Sequence, residues 1–331
     1  MPSEPAPQVL VMPRSNAVSR PAEVRAAAPQ DTDEIIRLLD GIWSFQDNAA
    51  WLGSDPGYQP HQTRVFVADD RIVTVLQVFS RPMRVGHDVR KVGCIGNVAT
   101  LPDYRGRGHA TRLLEDAIAY MEREGYDLSM LFTGVPPLYE KLGWKAMPQS
   151  IVSFRIREDV DLPYDSDGRI GDWERDLAGV MRVYDEFNRG RTGTVARTAD
   201  YWRAQLRWLR EEDPAGFLVA ERGGEIVAYT RCRKDANLIM EYGYLPGWED
   251  AMTSLFVQLA WTFRARHDGR IIAYSPRDPL AERLLAESCV DVNWNVPPLQ
   301  TPHIEHVLFR PIRWHSLDRL AGYVFWYSDH F

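Results

Sequence analysis

Apolar and polar positions change period several times along the chain, and each change marks an element. Val24–Ala28 reads as a short strand. Asp31 and Glu34 have the spacing of a helix capping box. Ile35, Ile36, Leu38, Leu39 and Ile42 then continue at helical spacing. The stretch WSFQDNAAWLGSDPGYQPHQ has no period, and Gly and Pro punctuate it, so it is read as a long loop or broken helix. Loops of that length inside a compact domain often wall a site. Strands resume at TRVFVADD, turn near Asp70, and run through RIVTVLQVFSRPMRV and RKVGCIGNVATL. Leu113, Leu114, Ala117, Ile118 and Met121 share one face of a helix over Thr111–Glu124, which Gly125 ends. LSMLFTG follows as a buried strand, PPLYEKLG as a short helix and QSIVSFRI as the strand closing this half.

The order then recurs more faintly. After the helices GDWERDLAGVMRVYDEFNR and YWRAQLRWL comes the hairpin GFLVAERGGEIVAYTRCR, with Gly-Gly at its turn. The strand NLIMEYGYLP, the long helix EDAMTSLFVQLAWTFRARH, the strand RIIAYSP and the helix PLAERLLAE complete the copy. A period of about 130–150 residues is a duplicated domain and not a solenoid repeat. The expected architecture is α/β: two tandem units with mixed, mostly antiparallel sheets flanked by helices. Their bounds are read as a flexible tail over residues 1–22, units over 23–160 and 161–295, and a C-terminal tail over 296–331. In that last tail HIEHVLFRPI reads as a strand and WHSLDRLAGYVFWYSDHF as a helix.

Composition narrows the function classes. The 331 residues suit about two domains, and 45% apolar content supplies a sizeable core. Lys plus Arg number 39 against 46 Asp plus Glu, a net charge of -7. That argues against a nucleic-acid partner. It fits a cationic substrate, although ordinary solubility charge is its commoner meaning. Cys94, Cys232 and Cys289 are scattered and form no CxxC pair. No disulfide framework and no metal site are therefore expected, and a reducing, cytoplasmic setting is. No run of about 18 apolar residues suggests a membrane span.

The candidate chemistry lies in YRGRGHATRLLEDA, Tyr104 to Ala117. A strand ends at Leu101, a loop R-G-R-G-H-A follows, and a helix opens. Such a loop aims backbone N–H groups at one spot, and the helix N-terminus adds positive partial charge. Gly106 and Gly108 let a diphosphate approach the backbone, and Arg105 and Arg107 add charge. This is neither the P-loop, which needs GK[ST], nor the dinucleotide GxGxxG of a βαβ unit.

The stretch NVATLPDYRGRGHATRLL resembles the acyl-CoA-binding motif of the GNAT superfamily of N-acyltransferases, [QR]-x-x-G-x-[GA] after a strand. Arg105, Gly108 and Ala110 stand at its fixed positions. The resemblance implies that the amides of Gly106, Arg107, Gly108, His109, Ala110 and Thr111 hold the pyrophosphate of acetyl-CoA. It implies that the backbone of Val98, Ala99 and Thr100 pairs with the pantetheine arm, and that Gly134 and Val135 lie beside the cofactor. LSMLFTGVPPLYEKLGWKAM extends the likeness, with Tyr139 where many members place a tyrosine near the CoA sulfur. A phenol there can protonate the leaving thiolate; a tyrosine under a short helix is otherwise core. The tandem layout, with the motif intact in the first copy alone, resembles the Eis-like acetyltransferases of aminoglycosides and polyamines. In the second copy YGYLPGWEDAMTSLF keeps Gly247 but places Glu249 and Asp250 where they would repel a diphosphate. The Eis-like resemblance implies a sterol-carrier-like third domain, whose opening HVLFRPIRWHSLDRLAGYV resembles, and symmetric homo-oligomers. It also implies a C-terminal carboxylate as general base, which Phe331 would present.

The residues alone leave the base and the acceptor open. The strand VGCIGNVATL has no Glu; Cys94 reads as core, and Asn97 can orient a water. His109 flanks the cofactor rather than acting as base. Trp43, Phe45 and Trp51 either wall an amine pocket or cover the core, and Asp47 either binds an amine or is a solvated acid. The activity expected is acetyl transfer from acetyl-CoA to a primary amine of a small, cationic acceptor. A CoA-binding module without turnover and a protein-amine acetyltransferase are the alternatives.

Overall fold

The computed structural model describes residues 21–43, 48–49, 55–160, 168–208, 212–233, 237–264, 269–294, 296–298 and 304–331. The first unit holds β1 (Glu23–Ala26), α1 (Thr32–Asp40), β2 (Thr63–Ala68), β3 (Arg71–Val85), β4 (Asp88–Thr100), α2 (His109–Arg123), β5 (Leu128–Thr133), α3 (Pro136–Glu140) and β6 (Lys145–Met147). Then come β7 (Ile151–Ile156), β8 (Gly168–Ile170), α4 (Trp173–Phe187), α5 (Ala199–Trp208), β9 (Leu218–Arg222), β10 (Glu225–Cys232) and β11 (Leu238–Tyr244). The chain continues through α6 (Glu249–Phe263), β12 (Arg270–Tyr274), α7 (Pro279–Ser288), β13 (Cys289–Asn293) and β14 (His306–Pro311).

Two seven-stranded mixed sheets form, ordered β1-β2-β3-β4-β5-β14-β6 and β13-β7-β12-β11-β10-β9-β8. One parallel pair lies in each, β4 with β5 and β11 with β12. The tandem arrangement expected from the period is thus present, but the units exchange a strand. β7, read as the closing strand of the first half, lies between β12 and β13 of the second sheet. β14, from the tail, fills the matching place between β5 and β6 of the first. Both runs are apolar on both faces, which demands a central position; periodicity states that demand without saying which sheet meets it. Val307, Leu308 and Phe309 of β14 are fully buried, each contributing about 1.5–3 kcal/mol. The tail is part of the first unit's core.

Two local expectations are corrected. The capping box at α1 does not form. Arg25 holds the Asp31 carboxylate, which accepts from Ala28 N at 2.7 Å, and Glu34 accepts from Ile72 N at 2.8 Å. The tail after Trp314 is also not a helix; its regular structure is two short turns, Asp318–Leu320 and Tyr327–Asp329. Tyr323, Val324, Phe325 and Trp326 are buried in succession. Tyr323 and Phe325 enter the core under the first sheet, Val324 and Trp326 the core of the second. Alternate burial on two sides needs an extended chain, since a helix would turn all four away from one of the cores. The segment is an apolar seam between the units.

Candidate active site

The site begins where two strands part. β4 and β5 pair in parallel from Val92 opposite Leu128 to Ile95 opposite Leu131. Both strands continue, to Thr100 and Thr133, without further pairing. A bulge bends β4 away: its register against β3 shifts between Val75 and Gln77, and Asn97 sits at φ 52°. The Asn97 amide donates to Gln77, so the side chain secures the bulge. Past the bulge Ala99 and Thr100 pair with Val75 and Thr74 of β3. Their opposite backbone edge, with that of Val98, faces the gap left by β5. Val98 packs on the core that holds Leu113 and Tyr139, and Ala99 on the core under α1.

The loop from β4 to α2 follows. Gly106 and Gly108 have φ of 73° and 78°, and an added Cβ would meet nothing within 4 Å at either. Glycine is needed there for the left-handed backbone, which costs another residue about 1–3 kcal/mol. Gly108 is the N-cap of α2 and no side chain caps it, so the first-turn N–H groups of His109, Ala110 and Thr111 stay available. Arg105 and Arg107 donate to the carbonyls of Thr100 and Asp103 at 3.1 and 2.8 Å. They tie the loop to the strand end while both remain exposed. The His109 ring lies 4.0 Å from Phe66, and burial, Arg107 and Arg112 hold its pKa below the ordinary histidine value. It is therefore a neutral ring packed beneath the loop. Left-handed glycines, an uncapped helix start, two arginines and open space suit a diphosphate.

The other wall of the gap carries Tyr139. The residue is 6% exposed, seated by α3, with its ring edge-on to Trp144 at 6.2 Å. Burial pushes its pKa up against the opposing hydrogen bond from Thr133, so the phenol keeps its proton at neutral pH. The Thr133 hydroxyl also accepts from Val135 N at 2.9 Å, which shapes the Gly134–Val135 turn. Phe331 enters the gap itself. The Phe331 ring stands 5.1 Å from Phe132 of β5, and a Cβ at Gly96 of β4 would meet it at 3.4 Å. His330 stacks on Phe132 at 3.8 Å.

The loop continues directly from the Val98–Thr100 edge, Tyr139 shares a core with Val98, and Phe331 packs at Gly96 and Phe132 where the two strands part, so the candidates come from three separate parts of the chain. Trp43 packs on the core under α1, which also takes Ala99; Phe45, Asp47 and Trp51 fall outside the described residues. Sequence reasoning missed Glu305, a half-buried carboxylate leading into β14, whose pKa burial pushes up and whose charge acts on Tyr139. It also missed the fully buried Arg81–Asp55 pair beside this region. Only the strand exchange brings Glu305 here, and no local pattern announces that.

A parted parallel pair, a bulged strand and an uncapped glycine loop frame the candidate site. The family model of the acetyltransferase (GNAT) domain matches residues 23–147, and that region belongs to the family. Over the whole chain the fold is similar to three solved structures. A GCN5-related N-acetyltransferase from Anabaena variabilis is 16% identical, with 92% of this chain and 75% of that chain covered and a TM-score of 0.64. A probable N-acyltransferase from Enterococcus faecalis is 16% identical, with 91% and 74% covered and a TM-score of 0.66. Eis1 from Mycobacterium abscessus is 14% identical, with 88% and 73% covered and a TM-score of 0.55. The two-unit Eis-like arrangement is therefore shared at the level of fold. Comparison with curated protein sequences gives no match. No helix among the described residues is long and apolar enough to cross a membrane.

Proposed function

We propose that this chain transfers the acetyl group of acetyl-CoA to a primary amine of a small, cationic acceptor, aminoglycoside- or polyamine-like. The observation that carries the reading is the unpaired Val98–Thr100 edge opening directly beside the uncapped Gly106–Thr111 loop. In this reading the loop amides hold the diphosphate, and the strand edge takes the pantetheine arm as a substitute strand. Gly134 and Val135 flank it. A backbone N–H of Val98–Thr100 stabilises the oxyanion as the amine nitrogen bonds to the thioester carbon. The carbon–sulfur bond then breaks, its electron pair leaves on sulfur, and Tyr139 supplies the proton that makes the free thiol. The amine must lose a proton to attack. The α-carboxylate of Phe331 is the base in this reading, because its residue bridges β4 and β5 at the splay. The aromatic rings of Phe79, Phe132 and Phe325 around the Phe331 ring suit a cation.

The test is an acceptor screen with aminoglycosides, polyamines and peptides, read as free-thiol release from acetyl-CoA. Stimulation by a small polyamine or aminoglycoside supports the reading. Stimulation by peptides alone moves the acceptor class, and thiol release that no amine raises above background hydrolysis contradicts amine transfer.

A further inference from the structure

The residues that carry Phe331 into the splay are held from the second unit. Arg197 lies just before α5, and its side chain is fully buried, as are those of Glu241 on β11 and Asp329 in the tail. The Arg197 Nε donates to one Asp329 oxygen and a terminal nitrogen to the other, both at 2.8 Å, a two-pronged grip of fixed orientation. The same nitrogen reaches Ser328 Oγ at 2.9 Å and the Glu241 carboxylate. Gln205 donates to Asp329 Oδ1 at 3.2 Å and to the Ser328 carbonyl. Tyr229 donates to the remaining Glu241 oxygen at 2.8 Å, and Arg231 supports Gln205 at 2.8 Å. The backbone before Arg197 is itself fixed to the first unit, since Ala196 N donates to Pro82 O at 2.7 Å and Gly193 N to Arg84 O at 2.8 Å.

We infer that Arg197 is a positioning residue for acyl transfer: its grip on Asp329 holds Ser328–Phe331 in the splay of β4 and β5. The second unit thereby sets the geometry of the first unit's chemistry. The inference rests on the function proposed above.

The charge arrangement distinguishes this from ordinary packing. Arg197 and Glu241 both belong to the second unit and pair there without the tail, and Arg231 also approaches Glu241, at 3.6 Å. Asp329 adds a second buried carboxylate beside Glu241, which burial and like charge both disfavour. Burial indeed pushes the Asp329 pKa up, with Glu241 adding to that and Arg197 opposing it. A hydrophobic residue would anchor the tail without that penalty, as Trp326 does three residues earlier at 0% exposure. A carboxylate in a guanidinium fork fixes direction as well as depth. Direction matters here because Phe331 follows two residues later and reaches across both strands.

The test compares Asp329→Asn, which keeps shape and removes charge, with Arg197→Lys and Arg197→Met. Hydrogen–deuterium exchange of the 323–331 peptide reads the position of the tail, and calorimetry reads acetyl-CoA affinity. Thiol release from acetyl-CoA with spermine and kanamycin as probe amines reads turnover. Asp329→Asn is expected to speed exchange in that peptide at least about tenfold and lower kcat about tenfold, with acetyl-CoA Kd and KM held within about twofold. Arg197→Lys, which keeps the charge without the fork, falls between wild type and Arg197→Met. Unchanged exchange in Asp329→Asn overturns the inference. So does a kcat loss that tracks loss of acetyl-CoA affinity and thermal stability, which is the mark of a merely structural pair. Should the wild type release no thiol with any amine, the proposed function fails, while tail exchange and acetyl-CoA affinity still decide whether the grip positions the tail.

Discussion

The two units carry the same crossing, a strand that parts from its parallel neighbour, then a loop, then a long helix, and they finish it in opposite ways. In the first, Gly106 and Gly108 are both left-handed and α2 begins with no side-chain cap. In the second, Gly247 alone keeps the left-handed form, at φ 85°. Its N–H already donates to Glu249 at 3.3 Å, and Glu249 and Asp250 occupy the first turn of α6. The strands differ likewise. Beyond the pairs Leu238–Ile272 and Ile239–Ala273, Tyr242 and Ser275 bond hydroxyl to hydroxyl at 2.7 Å across the gap, and Trp326 packs on Tyr242 at 5.4 Å. A helix start is an anion site only while its N–H groups are uncommitted and no resident carboxylate serves as the anion. Neither helix start has a side-chain cap, so both meet the first condition; Glu249 and Asp250 in the first turn of α6 make the second crossing fail the other.

The sharpest way to break this contrast is Gly108→Val, which forces a β-branched residue into the left-handed backbone. Acetyl-CoA affinity measured by calorimetry is expected to fall at least about 100-fold, near 2.8 kcal/mol. Next is Tyr139→Phe, expected to lower kcat about 10- to 100-fold with acetyl-CoA Kd changed less than about twofold, since it touches proton supply and not the loop. Equal loss in Kd would place Tyr139 in the core instead. Arg105→Ala should weaken acetyl-CoA about 3- to 10-fold, less so as salt rises, because the side chain is exposed and screened.

A smaller effect concerns pH. The native His109 resists protonation, so on acidification the unfolded chain takes up that proton first, near the ordinary histidine pKa of about 6.5. Stability from this group is full above that value and falls as pH drops below it. Thermal melts at pH 7.5 and 5.5 should show part of the decline removed in His109→Gln. Smallest of all is Glu249→Gln, which removes charge from the second crossing without adding glycines. It should leave acetyl-CoA stoichiometry and affinity unchanged, and a second binding event on titration would show that the acid alone had closed that site.

Much of this contrast is legible in the sequence. Glycine, arginine and acid positions are local, and the physics of a helix start is local too, so RGRGHAT and LPGWED declared themselves. Element types also followed from period. What stayed hidden depends on distant partners. Ile151–Ile156 and His306–Pro311 are both short apolar runs, and nothing in either says that they trade sheets. The Tyr323–Trp326 run looked helical because every position is apolar; its alternation appears only once two cores face it from opposite sides. The Arg197–Asp329 grip joins residues 132 positions apart, and Glu305 reaches Tyr139 only because β14 is inserted. The loop and Tyr139 are therefore visible as candidates in the sequence, while the elements that assemble the rest of the cleft are not.

The central claim is that one crossing holds acetyl-CoA and its copy does not. Calorimetric titration of acetyl-CoA into the wild type, Gly108→Val and Glu249→Gln tests it most directly. One site per chain is expected, lost in Gly108→Val and unaltered in Glu249→Gln. Two sites in the wild type, or one site that survives Gly108→Val and vanishes in Glu249→Gln, would contradict it.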